Sequence, residues 1–382
     1  MINDPPTYAA RRLDNHLAGL LQSAGFALFR PPAGPITLIR QDRGQLATFS
    51  RAQDLIAPEG GFVMAPFDPG PQQPLVLIRP DLVLRGADSF SFLAQEPPLT
   101  PTHEPPGPAP LAAPPGDFES YRQAYQRFAQ AVRQREEGLR KLVLSRALTR
   151  ELPADLSLGS LFFRACALFP ESLVYLCSTP ISGLWIGCTP EPLLTGLGPE
   201  WRTVALAGTR LAAGPDWDDK NILEQRIVAD FLSEQLRRAG AAFDRHGPVT
   251  VRAGHLLHLR TDFHFTSALG PGPLLSLLHP SPAICGYPKA PALQFIHRHE
   301  GYNRGYYAGF LGYLPGPGVD PGPTDIYVNL RCLRLEGRRA TLYSGGGILP
   351  DSSLEAEWQE TENKLGTMLA LLETNEGHPK CQ

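Results

Sequence analysis

The sequence predicts an α+β protein. Long amphipathic helical patterns mix with short strand-like runs bounded by Pro and Gly turns, without the regular strand–helix–strand rhythm of a doubly wound sheet. Of the 382 residues, 42% are apolar and 19% charged, which permits a sizeable core and excludes wholesale disorder. Lys plus Arg number 35 and Asp plus Glu 38, for a net charge of −3. That balance offers no global field for nucleic acid or an anionic membrane surface, yet a few placed cations suffice for a small anion.

The first 95 residues read as a helix over 8–23, then strands at 26–29, 36–39 and 75–78 in an antiparallel arrangement. Residues 96–116 contain nine prolines in 21 positions, so they form neither a helix nor an inner strand. They read as a linker or surface crossing, extended in polyproline style. Residues 117–375 form the second part and 376–382 a tail. The second part opens with a helix marked by Tyr121, Tyr125, Phe128 and Val132 at helical spacing. A strand over 141–145 follows, then a helix marked by Leu161, Phe162, Ala165 and Leu168. Runs 173–177 and 184–188 look like paired strands. A strong helix over 218–239 ends at Gly240. The last helix, 353–374, carries Leu354, Trp358, Thr361, Leu365, Met368 and Leu372 on its apolar stripe.

Six cysteines, at 166, 177, 188, 285, 332 and 381, show no C-x-x-C or zinc spacing. Cys166 and Cys177 lie in apolar runs and read as small buried hydrophobes. No basic leader and no apolar run of about 18 residues is visible, so the chain reads as cytoplasmic, with no membrane span.

Three sets of residues could carry chemistry. Glu224 sits beside the stripe of Ile227, Val228 and Phe231, while Glu357, Glu360 and Lys364 share one face of the last helix. Carboxylates from two helices meeting at a half-buried point make an oxygen-ligand Mg²⁺ site. The same spacings equally describe solvated faces with ion pairs. Two glycine turns, around Gly208-Thr209 and Gly345-Gly346-Gly347, let backbone N–H groups approach a carboxylate or phosphate, but match no nucleotide fingerprint. Lys141 opens an apolar strand and Glu191 ends another. Against an apolar wall they suit a base and an acid, and in water they are plain strand-end charges. His258 reads as a satisfied core histidine.

These pieces line up in one family pattern. From about residue 119 to 372 the chain resembles the chorismate-utilising enzymes, which include isochorismate, salicylate, anthranilate and aminodeoxychorismate synthases. The resemblance rests on KLVLSR (141–146), IGCTPEPLL (186–194), ALAGTR (205–210), DDKNILEQRIV (218–228), LLHLRT (256–261), LLHPSPAICGYP (277–288), YYAGFLGY (306–313), VNLRC (328–332), YSGGGILP (343–350) and EWQETENKL (357–365). GFVMAPF (61–67) looks like part of the family's divergent N-terminal half. The resemblance implies a large antiparallel β-sheet core with helices packed outside, a deep cleft and a requirement for Mg²⁺. It implies that Lys141 activates water and Glu191 protonates the leaving 4-hydroxyl. Glu224 and Glu360 match the Mg²⁺ ligands. Tyr307 and Arg331 match the pair on the enolpyruvyl carboxylate. Gly208, Thr209, Gly345 and Lys364 match groups around the ring carboxylate, and Tyr343 falls in the same substrate-binding motif.

Two positions narrow the activity that the resemblance implies. Ammonia-adding relatives carry Gln where this chain has Lys141, and aminodeoxychorismate synthases carry a nucleophilic Lys where it has Ala207. Water as nucleophile, a monomer and no glutaminase subunit are therefore expected. Ala283-Ile284 is the apolar pair of isochorismate synthases, and an aliphatic Ile gives no polar help to a later elimination. The expected activity is isochorismate synthase, serving menaquinone or, alternatively, siderophore biosynthesis. Salicylate synthase and a non-catalytic chorismate-binding module are the other readings. Two departures stand out: Asn221 where many relatives carry an acid, and Gln225 where they carry His. The first removes a carboxylate that could tune the metal.

Overall fold

A computed structural model of the chain describes residues 5–55, 60–86, 116–153, 156–213, 216–253, 256–316 and 322–372. Seven helices are α1 (Pro5–Leu20), α2 (Phe118–Arg133), α3 (Leu158–Leu168), α4 (Asp219–Arg238), α5 (Pro271–Leu278), α6 (Lys289–His299) and α7 (Leu354–Leu372). The first strands are β1 (Gly25–Arg30), β2 (Thr37–Gln41), β3 (Ala47–Phe49), β4 (Gly61–Ala65), β5 (Leu75–Ile78) and β6 (Leu82–Arg85). Next come β7 (Lys141–Glu151), β8 (Leu173–Thr179), β9 (Gly183–Thr189), β10 (Pro192–Leu197), β11 (Glu200–Leu211) and β12 (Ala242–Ala253). The last are β13 (Leu256–Thr266), β14 (Gly286–Tyr287), β15 (Phe310–Leu314), β16 (Thr324–Val328), β17 (Cys332–Glu336) and β18 (Arg339–Ile348).

The strands form two nine-stranded sheets, ordered β14-β7-β18-β17-β9-β8-β1-β2-β6 and β12-β13-β11-β10-β16-β15-β4-β5-β3. The α+β class and the antiparallel core are as expected. Strands from the N-terminal part are built into both sheets: β1 pairs with β8, and β4 with β15. Residues 96–115 of the proline-rich segment and the tail 376–382 lie outside the described residues.

Side-chain alternation explains the unbroken apolar runs. In β1, Ala27 and Phe29 belong to the core between the sheets, while Phe26 and Leu28 belong to a second core. That second core is capped by α1, α3 and the end of α7, through Leu13, Phe162, Leu365 and Met368. The first sheet is thus covered on both faces, so neither face of its central strands reads as polar. The last helix divides its stripe accordingly. Leu354 and Trp358 pack toward the inter-sheet core, and Leu365, Met368 and Leu371 toward the second. Arg146 of β7 fixes this helix: it lies 3.8 Å over the Trp358 ring, donates to Thr361 Oγ1 at 2.7 Å and pairs with Glu362. Cys177, Cys188, Cys285 and Cys332 are buried free thiols, and Cys166 is half-buried. No helix among the described residues is long and apolar enough to cross a membrane.

The two parts of the second sheet meet where β15 leaves a turn against β4. A methyl at Gly309 would lie 1.9 Å from the Ala65 carbonyl oxygen, a contact only backbone movement could relieve. Gly309→Ala is expected to cost about 1–3 kcal/mol, read as a lower urea midpoint at unchanged slope.

Candidate active site

The end of β7, the glycine run of β18, the bulged middle of β11, the first turns of α4 and the middle of α7 surround one cleft. Glu191, Gly208, Thr209, Glu224, Ala283, Ile284, Tyr307, Arg331, Tyr343, Gly345 and Lys364 all line it. Lys141 and Glu360 do not. They stand one layer behind, screened by Gly346 and Gly347.

The glycine run is explained by what presses on it. Gly345, Gly346 and Gly347 pair with Ser145, Leu144 and Val143 of β7. A methyl at Gly347 would fall 2.1 Å from Glu224 Oε1 and 2.9 Å from Lys141 Cε. One at Gly346 would fall 3.0 Å from Glu357 Oε2 and 3.7 Å from Glu360 Oε1. The bare strip therefore makes room for the protein's own charged side chains, a use the sequence did not disclose. Each carboxylate has a lysine. Lys141 Nζ lies 2.9 Å from Glu224 Oε1, Lys220 Nζ 2.6 Å from Glu357 Oε1, and Lys364 Nζ 2.5 Å from Glu360 Oε1. Lys141 is fully buried, and its neighbour is this carboxylate rather than a purely apolar wall. Burial pushes the Glu357 carboxyl up to about 7, with Glu360 adding to the effect. Burial acts on Glu360 in the same direction, but Lys364 and Lys220 overcome it and hold that carboxyl below its ordinary value. The same carboxylates outweigh the burial of Lys220 and raise its pKa. Lys220 and Glu357 were missed as a pair because they lie on different helices.

Glu191 connects β9 to β10, anchored where Val328 N donates to its carbonyl at 2.9 Å. Its carboxyl is pushed up to about 7 by burial, against the pull of Lys141, Arg331 and Lys364. Arg331 takes a left-handed backbone at φ +48°, an unfavourable choice for a side-chain-bearing residue, which fixes the guanidinium at the cleft. Burial lowers its pKa, and it has no ion-pair partner among the described residues. Tyr307 stacks on Tyr343 at 5.0 Å, and Tyr343 on Trp185 at 5.6 Å, giving a rigid aromatic wall. Ile284 is buried and hung from Arg304, whose Nη1 donates to the Ile284 carbonyl at 2.7 Å.

His258 belongs to this site, contrary to the core reading. Its Nδ1 lies 3.1 Å from the Gly208 carbonyl and 3.3 Å from Thr209 Oγ1, while Nε2 is buried without a partner. Burial, with Arg331 and Lys364, pushes its pKa down to about 3 and keeps the ring neutral. With Nδ1–H donated to the carbonyl, Nε2 is a bare acceptor at the cleft wall. Alternation along LLHLRT could have placed His258 on the same face as Arg260, but not beside a bulge.

Chemically, the cleft offers a carboxyl near its ionisation point, a cationic fork without an anion, and carboxylates backed by lysines. The hard oxygen donors of Glu224 and Glu360, brought to one glycine strip, fit a Mg²⁺ that takes one or two carboxylates and fills its shell with water and substrate oxygens. No cluster of three His, Cys, Asp or Glu that would cage a metal occurs among the described residues.

The profile of the chorismate binding enzyme family matches residues 95–373. The isochorismate synthase MenF of Escherichia coli (strain K12) is 31% identical over 252 residues, covering 62% of this chain and 57% of that relative. The chain thus spans less than two thirds of that relative's length. The solved structure of MenF, the menaquinone-specific isochorismate synthase from Escherichia coli, superposes with a TM-score of 0.75 at 23% identity, covering 98% of this chain and 92% of the other. Anthranilate synthase component I from Streptococcus pneumoniae superposes with a TM-score of 0.65 at 19% identity, covering 90% and 92%.

Glu191 gives a pH-dependent prediction. The unfolded chain ionises this carboxyl near 4.5 and the folded chain near 7, so in that window the folded state binds the extra proton and loses stability as pH rises. Glu191→Gln removes the ionisation. The variant is expected to be more stable than the native chain at pH 8, on the order of 2–3 kcal/mol, with the gap closing toward pH 4. Urea denaturation at the two pH values measures this; a gap that widens toward acid would contradict the assignment.

Proposed function

The chain belongs to the chorismate-binding enzyme family, and on that premise we propose that it is an isochorismate synthase. One observation carries the reading: a carboxyl poised near neutrality, Glu191, lines the cleft, and a buried lysine, Lys141, stands one layer behind its glycine strip against Glu224, which also lines it. Hydroxyl transfer on a ring needs an acid and a base of that kind.

Chorismate carries two carboxylates. Arg331, without an internal anion, suits the enolpyruvyl carboxylate as a planar fork, with the Tyr307 hydroxyl beside it. The ring carboxylate falls to Gly208, Thr209, Gly345 and Lys364. Water adds at C2 and passes a proton to Lys141. The ring double bonds shift, the C4–O bond breaks, and Glu191 gives its proton to the departing hydroxyl, which leaves as water. One water enters and one leaves, so the change is an isomerisation. Lys141 must then return its proton and Glu191 regain one before the next turnover. Mg²⁺ held by Glu224 and Glu360 would neutralise the ring carboxylate, polarise the ring and draw the Glu224 charge away from Lys141. Tyr307, Tyr343 and Ile284 exclude other water from the ring. Ile284 offers no group to assist loss of pyruvate, which supports isochorismate over salicylate as product.

Product analysis of a chorismate incubation with Mg²⁺ tests the reading: isochorismate should accumulate, and salicylate, anthranilate or unchanged chorismate would each contradict it. Lys141→Ala should abolish product while calorimetric chorismate binding persists, because the carboxylate partners lie elsewhere. Lys141→Arg should also fail, since a guanidinium keeps its proton. An active Lys141→Arg enzyme would sink the base role.

Glu224→Gln and Glu360→Gln should each abolish Mg²⁺-dependent turnover and weaken Mg²⁺ binding, measured by titration calorimetry. Near-native activity at low Mg²⁺ in either variant would remove that residue from the metal site.

A further inference from the structure

Strand β11 breaks register against β13 between Ala207 and Thr209, with Gly208 turned to φ +74°. The bulge rests on the first turn of α4. A methyl at Gly208 would lie 3.3 Å from both Asn221 Cβ and Asn221 Oδ1. Thr209 N donates to Asn221 Oδ1 at 2.9 Å. Asn221 Nδ2 donates to Asp218 Oδ1 at 2.6 Å, and the same oxygen caps the helix by accepting from Asn221 N at 2.8 Å. The orientation of this amide is therefore fixed from both ends, and its functions are split: one acceptor for the bulge, one donor for the cap. One turn further, Gln225 is buried, and its Nε2 donates to the Ala205 carbonyl at 3.1 Å and to Thr261 Oγ1 at 2.9 Å. The two amides flank Glu224 and tie α4 to β11 on either side of the bulge, and to β13.

We infer that Asn221 and Gln225 are positioning residues: their side-chain amides clamp α4 to β11 and hold the Gly208–Thr209 bulge in the shape that meets the substrate's ring carboxylate. The inference rests on the functional reading above. An acid at 221 could accept from Thr209 but would face Asp218 without a donor to give it. The neutral amide at this position serves the bulge and the cap at once. The clamp also fixes the Gly208 carbonyl to which His258 Nδ1 is bound, so the direction of the His258 Nε2 acceptor depends on it.

The test combines hydrogen exchange with kinetics on the full chain. In Asn221→Ala and Asn221→Leu the Thr209 amide should exchange about tenfold faster than in the native protein, and the chorismate KM should rise by a similar factor while kcat changes much less. Asn221→Asp keeps the acceptor but loses the donor to Asp218, and should return part of the Thr209 protection and part of the KM. Gln225→Leu should raise the KM in the same direction, with the larger loss of thermal stability because its amide is buried. Unchanged Thr209 exchange in the Ala and Leu variants overturns the inference. So does faster exchange with an unchanged KM, or a KM that Asn221→Asp leaves as high as alanine does. A native chain that binds no chorismate overturns the functional reading and the substrate half of the inference, and is distinguished because the exchange experiment contains no ligand.

Discussion

The site depends on the burial of charge against a strip of bare backbone. Three carboxylates, Glu224, Glu357 and Glu360, converge on Gly346 and Gly347 at the junction of the two sheets. Carboxylates this close and this poor in water would repel one another and revert to the neutral form. Lys141, Lys220 and Lys364 oppose that, one beside each: Lys364 and Lys220 hold Glu360 below its ordinary value, while burial still pushes Glu357 up. Taking away one partner leaves an uncompensated buried charge, which is more damaging than the net worth of the pair. The glycines, the lysines and the carboxylates therefore form one constraint, spread over β7, β18, α4 and α7.

Much of the remaining architecture serves to bring those four elements together. The first sheet supplies β7 and β18 as neighbours and is covered on both faces, which makes it rigid. Arg146 pins α7 to β7 through Trp358, Thr361 and Glu362, so Glu360 and Lys364 face the strip in fixed register. The second sheet contributes the bulged β11 and, behind it, α4. A two-sheet core with helices outside thus places a cleft where polar groups from both sheets and two helices meet.

Groups that the protein does not pair with itself mark the ligand side of the cleft. Among the described residues Arg331, on a strained backbone, makes no ion pair, and His258 Nε2 is a buried acceptor with no donor. Glu191 keeps its proton near neutrality because burial outweighs three nearby cations. Each is a cost to the folded chain that an anionic ligand or a proton can relieve, the pattern expected where strain and unmet polarity are kept for function.

The sequence by itself determined the α+β class, most helix and strand positions, and the residue types of the chemistry. Amphipathic periods and Pro/Gly punctuation are local properties, so β5 was placed at residues 75–78 and α4 within a residue or two of its ends. Ordered motifs supplied by resemblance picked the cleft residues, because a motif preserves residue identity even where it says nothing of distance. Tertiary structure alone decided who faces whom. Lys141 meeting Glu224, Lys220 reaching Glu357 on another helix, and His258 turning to the bulge between β11 and β13 have no signature in spacing. The same run of glycines reads as a ligand cradle in the sequence and proves to be the space that buried carboxylates require. That difference arises because charge pairing and steric room depend on elements far apart in the sequence, which only the folded chain brings within a few ångströms.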